Sequence, residues 1–145
     1  MDNKEIAKKL GSLAQLDIDA VHAYKEAIDK VEDPQVRANL VRYREDHERH
    51  IAELSAEIRR LGETPPDFSP DFKGFFIQGF TSLRSITGTE GALNAMHTNE
   101  KLTNKNYSEA GNWNLPTNIQ SIINLAYEDE KRHLEYIEME LKKRE

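Results

Sequence analysis

The residues best suited to chemistry in this chain sit in two near-copies of one phrase. "EDHERHI" fills residues 45–51 and "EDEKRHL" fills residues 128–134, a shift of 83 positions with Glu130 where the first copy has His47. Each copy carries two polar groups three residues apart, His47 with His50 and Glu130 with His133. On a helix such pairs share a face, so each can present two donor atoms to one point. Imidazole and carboxylate donors in that arrangement suit a divalent transition metal held between helices.

Convergence depends on the elements that carry these residues, and the apolar periodicity is helical almost throughout. Ile6, Leu10, Leu13, Ala20, Tyr24, Ala27 and Val31 recur at spacings near three and four, which predicts one buried stripe. Asp33 is suited to cap a second helix with Pro34 in its first turn. Its stripe runs through Val36, Leu40, Tyr43, Leu54, Ile58 and Leu61 to Gly62. "ETPPDFSPDF" then breaks the pattern, and the aromatic segment from Pro70 to Ile86 reads as a short helix within a crossover. Phe72, Phe75, Phe76 and Phe80 in it would cover the bundle, or mark a homodimer face if exposed. "TGTE" at residues 87–90 has the form of a capping box. A third stripe follows with Leu93, Met96, Thr103, Tyr107 and Ala110. Pro116 opens a fourth, with Ile119, Ile122, Ala126, Ile137 and Leu141.

The 83-residue shift also maps Leu10 onto Leu93, Leu13 onto Met96, Tyr24 onto Tyr107 and Ala27 onto Ala110 without a gap. An internal duplication follows. The expected fold is all-α: a four-helix bundle of two antiparallel helical hairpins, 3–62 and 88–144, joined by the crossover 63–87 within a single domain, 1–145.

Polar residues occupy the stripes at one level. The second helix keeps its rhythm only if His47 and His50 point inward, and the fourth only if Glu130 and His133 do. Asp17 and Glu100, again 83 apart, hold the matching positions on the first and third. Residues equidistant from a tight turn lie at the same depth, and that criterion also places all six in one layer. Three buried carboxylates need neutralising, and no basic residue is expected on the stripes at their level to do so. Asp17, His47, His50, Glu100, Glu130 and His133 are therefore the candidate metal ligands. The competing account is a hydrated polar layer whose groups pair with one another. His97 is an additional ligand candidate. Glu26 and Glu109 fall off the stripes, His22 and Asp19 read as solvated flank residues, and Tyr24 and Tyr107 as core or as relays for a proton or electron.

Composition limits the remaining classes. The chain has 145 residues and no cysteine, which excludes disulfides, thiolate metal sites and a Cys nucleophile. With 26 acidic against 20 basic residues and no basic face, nucleic acid is not an expected partner. No secretory leader and no membrane-spanning apolar run is evident, so a soluble cytoplasmic protein is expected.

"LDIDAVHAYKEAI", "DHERHIAEL", "LRSITGTEGALNAMHTNEKLTNKNY" and "YEDEKRHLEYIE" together resemble the ferritin-like superfamily. Within it they resemble the small bacterial four-helix-bundle group DUF2383, relatives of rubrerythrins and YciF-like stress proteins. The resemblance implies two metal ions, iron or alternatively manganese or zinc. One carboxylate would come from the first helix of each hairpin and a Glu-x-x-His pair from the second. Glu100, Glu130, His133 and His50 match, Asp17 is shorter than the usual Glu, and His47 replaces a bridging Glu. With a terminal imidazole at 47, the resemblance implies an asymmetric pair bridged by Glu130, or one tight ion with a weaker neighbour. It further implies iron chemistry with dioxygen or peroxide, an oxidase or peroxidase of the bacterial stress response. The alternative is a structural or interaction bundle with a degenerate, metal-free or zinc-filled site. A rubredoxin-type electron donor would need cysteines the chain lacks, and a storage shell is not expected without a further C-terminal helix.

Overall fold

The computed structural model describes residues 1–71 and 87–145. Among the described residues, four helices make up the regular structure: α1 (Asn3–Lys30), α2 (Pro34–Arg60), α3 (Gly88–Ala110) and α4 (Thr117–Lys143). Among the described residues there is no strand. The short helix expected from Pro70 to Ile86 lies, from Phe72 onward, outside the described residues, as do Phe75, Phe76 and Phe80.

The helix ends follow local chemistry. Asp2 accepts a hydrogen bond from Glu5 N and caps α1. Asp33 accepts from Gln35 N and Val36 N and caps α2, with Pro34 in the first turn as the sequence predicts. At the far end of α2, Gly62 adopts a φ of 82°. Its amide donates to Arg59 O, and Glu63 N donates to Ile58 O. This is the left-handed stop that glycine permits without steric cost.

The capping box expected at residues 87–90 does not form. Thr87 precedes α3 but makes no side-chain capping bond. Instead Thr89 Oγ1 accepts from Glu32 N and Asp33 N, at 3.0 and 3.1 Å. A tertiary partner thus uses the hydroxyl that ties the start of α3 to the α1–α2 turn.

Side-chain pairs fix the helix directions. Tyr24 and Asp17 on α1 meet Glu100 and Tyr107 on α3 in reversed order, so these helices are antiparallel. His50 meets Asp129 and His133 meets Asp46, which makes α2 and α4 antiparallel as well. α1 also packs on α2, and α3 on α4. Each helix thus has two neighbours in a four-membered ring.

The apolar core is divided in two. One half gathers Tyr24, Val31, Leu40, Leu93, Met96 and Ile137; the other gathers Leu10, Leu13, Leu54, Tyr107, Ile119 and Ile123. The 83-residue shift exchanges the halves, taking Leu10 to Leu93, Leu40 to Ile123 and Leu54 to Ile137. Burying each Leu or Ile contributes about 1.5–3 kcal/mol, so both halves can hold the polar layer between them. One stripe position differs from expectation: Ile123, not Ile122, is fully buried, and Ile122 only flanks the core. With Ile123 the α4 stripe keeps the same 4-3-4-3-4 rhythm through 119, 123, 126, 130, 133 and 137 that α2 shows. Leu61 and Leu141 are likewise only partly buried.

Candidate metal centre

Between the two halves of the core, all six residues singled out by the sequence meet. Asp17, His47, His50, Glu100, Glu130 and His133 are each no more than 3% exposed. They form two overlapping groups, each able to hold a metal ion: Asp17, His47, His50 and Glu130; and His47, Glu100, Glu130 and His133. His47 and Glu130 belong to both, and they occupy equivalent positions of the duplicated sequence.

In the first group Asp17 Oδ1 lies 2.7 Å from His47 Nδ1 and 3.1 Å from His50 Nδ1. Glu130 Oε1 is 3.4 Å from both of those nitrogens, yet it is buried and accepts no hydrogen bond. A buried acceptor left without a donor is costly, and here it points into a ring of donor atoms. In the second group Glu100 Oε1 lies 3.1 Å from His47 Nε2 and 3.3 Å from His133 Nδ1. Glu130 Oε2 is 3.7 Å from His133 Nδ1 and accepts from Thr103 Oγ1 at 3.1 Å. Nitrogen and carboxylate donors of this kind fit iron, manganese or zinc.

The outer side of the centre repeats the two-fold pattern. His50 Nε2 is 2.9 Å from Asp129 Oδ2, and His133 Nε2 is 2.8 Å from Asp46 Oδ2. Asp46 and Asp129 are themselves 83 apart and bond in turn to Arg49 and Arg132 at the α2–α4 seam. A carboxylate behind a ligating histidine fixes its tautomer and orientation. Tyr107 OH donates to Asp17 Oδ2 at 2.5 Å, and Tyr24 OH donates to Glu100 Oε1. Both tyrosines are thus hydroxyl donors to the carboxylates as well as core.

The electrostatics correct one premise drawn from the sequence, that nothing basic shares the layer. Burial alone would lower the three imidazoles, but Glu130, Asp17 and Glu100 outweigh it at His47 and hold it up at about 10. At His50 burial is likewise overcome, by Asp17 and Asp129, and its pKa is pushed up to about 12. His133 rises well above its ordinary value, again against burial, mainly through Glu100 and Asp46. Burial would raise Asp17 and Glu100, yet the facing histidines hold both below the usual carboxylate range. Without metal, the surrounding carboxylates therefore hold the three histidines toward their charged form.

The other named residues lie outside this layer. His97 faces outward and pairs with Glu138 at 3.0 Å. Glu109 is exposed and Glu26 half-buried at the surface. His22 is half-buried against Phe68. Asp19 departs from its expected solvated state: it is 3% exposed and accepts from Gln15 Nε2 and from Asp71 N. Residues 69–71 of the connection after α2 cover that flank.

Fold and site together define an all-α protein whose buried histidine–carboxylate centre could hold metal. The family model described as "Domain of unknown function (DUF2383)" matches residues 5–112, from α1 to the turn after α3. The chain belongs to that family. No curated protein and no solved structure matches it. Among the described residues no helix is long and apolar enough to cross a membrane.

Proposed function

We propose that this protein is a ferritin-like metal-binding bundle that carries two iron or manganese ions and uses them with dioxygen or peroxide. The observation that carries the reading is the pair of overlapping four-residue groups sharing His47 and Glu130 in one buried layer. Asp17 and His50 would serve one ion, Glu100 and His133 the other, and Glu130 would bridge them. Bound metal would supply Lewis acidity and, for iron or manganese, electrons for reducing an oxidant. The chain's own residues would hold the ions, exclude bulk water and orient the imidazoles.

Elemental analysis of protein produced in iron- and manganese-supplemented cells, without chelator, tests this reading. One to two equivalents are expected, lost together in a His50→Ala, Glu130→Ala variant. Absence of metal from both preparations would overturn the reading. Asp129→Ala, which removes the carboxylate behind His50, is expected to weaken divalent-ion affinity about 10–100-fold. Titration with a competing chelator would measure the change, and unaltered affinity would remove Asp129 from the centre.

A second reading is favoured by the way the histidines and carboxylates of the layer pair with one another. Charged histidines and the carboxylates facing them can persist as a structural ion-pair network without metal. The protein would then be a structural or interaction bundle, or one filled by zinc without redox chemistry. It predicts no thermal response to iron or manganese.

A further inference from the structure

We propose that His47 is shared between the two ion positions, giving Nδ1 to one and Nε2 to the other, where a bridging carboxylate would otherwise stand. The inference rests on the metal-binding reading above and extends it at one residue.

The three histidines of the centre are not placed alike. His50 and His133 each turn only Nδ1 toward the middle, while their Nε2 atoms face Asp129 and Asp46 behind them. His47 turns both nitrogens inward. Its Nδ1 faces Asp17 Oδ1 at 2.7 Å and Glu130 Oε1 at 3.4 Å, whereas its Nε2 faces Glu100 Oε1 at 3.1 Å. These are the donor atoms of different groups.

Glu130, its equivalent in the duplication, divides in the same manner. Oε1 lies toward Nδ1 of His47 and His50, and Oε2 toward Thr103 and His133. The ring of His47 is fully buried beside those of Tyr24 and His133, with centroids at 5.4 and 5.2 Å. A ring so packed cannot swing one nitrogen out to solvent.

On loading, His47 would give one ring nitrogen to each ion, its ring protons would leave to water, and no electron would move. The terminal role expected for His47 took the ring as a neutral imidazole that binds one ion, whereas here both of its nitrogens face carboxylates of the layer.

The test uses the full chain labelled with ¹⁵N-histidine and loaded with zinc(II) as a diamagnetic probe. Ring nitrogens are read through the neighbouring C–H protons, so exchange with water does not hide them. The expected result is two zinc equivalents. His50 and His133 should each show one metal-bound nitrogen and one N–H nitrogen, while both His47 nitrogens are metal-bound. His47→Gln should drop the stoichiometry from two to one, and His47→Glu should restore two. Two bound ions with an N–H nitrogen retained on His47, or a single ion in the unaltered protein, overturns the sharing but leaves metal binding intact. Failure of the unaltered protein to take up zinc overturns both. Should His47→Gln not fold, the spectrum of the unaltered protein decides alone.

Discussion

Anaerobic addition of iron(II) or manganese(II) to the metal-free protein is expected to raise its melting temperature by roughly 5–10 °C, and Glu130→Ala to abolish the rise. An ion that binds only the folded chain at about 100 times its Kd adds about 2.7 kcal/mol, and a chain of this length gains about 2–4 °C for each kcal/mol. Glu130 is the variant of choice because one carboxylate supplies a donor to both groups. Removing it also strands His47 and His50, whose Nδ1 atoms lie 3.4 Å from Glu130 Oε1. Breaking a buried pair in this way costs about 3–5 kcal/mol, so the metal-free variant should itself melt well below the unaltered protein. Glu130→Leu and His50→Leu separate the two readings further. A purely structural layer shows no response to metal with or without these substitutions. A ligand layer loses its metal response in either variant. Differential scanning calorimetry with and without metal measures both quantities, and a flat metal response in the unaltered protein would sink the metal-binding reading.

Much of this centre can be read from the sequence because a polar residue on an otherwise apolar stripe is conspicuous. Asp17 between Leu13 and Ala20, and His47 between Tyr43 and His50, break a rhythm that burial enforces on either side. The duplication then supplies a second, independent register. It also held information that periodicity alone did not yield. Leu40 maps onto Ile123, the true core position of α4, whereas counting forward from Ile119 by three selects Ile122. Asp46 and Asp129 lie off the stripes and resemble solvated helix residues, yet they are the same residue in both copies of the phrase. That identity was the available signal for the groups behind His50 and His133.

Other features had no local signal. Thr87 fits a capping box in its own four residues, but Thr89 is taken by the amides of a turn 56 and 57 positions earlier. Asp19 is buried only because the connection after α2 lies over it. The charge on the histidines is likewise a property of the assembled layer: each ring is flanked by carboxylates from other helices, and sequence spacing carries no such distances.

That charge leads to the second large effect, a stability that depends on pH in opposite senses with and without metal. His47 has a folded-state pKa of about 10 and His50 of about 12, against about 6.5 in an unfolded chain. Groups raised on folding contribute stability that is complete below the unfolded value and is lost as pH rises through the folded one. Asp17 and Glu100 are lowered, so their contribution is complete above the unfolded carboxylate range and is lost as pH falls. The metal-free protein should therefore be most stable near pH 5–6. Above that range, each proton that the unfolded chain releases and the folded chain keeps costs about 1.4 kcal/mol per pH unit. Even one such imidazolium removes roughly 3 kcal/mol between pH 7 and 9, equivalent to a fall of about 6–12 °C in melting temperature. Metal reverses the sign. Ions compete with protons for the same nitrogens, so binding tightens as pH rises and adds most where the metal-free layer is weakest. Melting temperatures between pH 5 and 9.5, in chelator and in manganese(II), would give diverging curves. A metal-free protein whose melting temperature stays flat or climbs from pH 6.5 to 9 would show that its histidines are neutral, and the ion-pair account of the layer would fall.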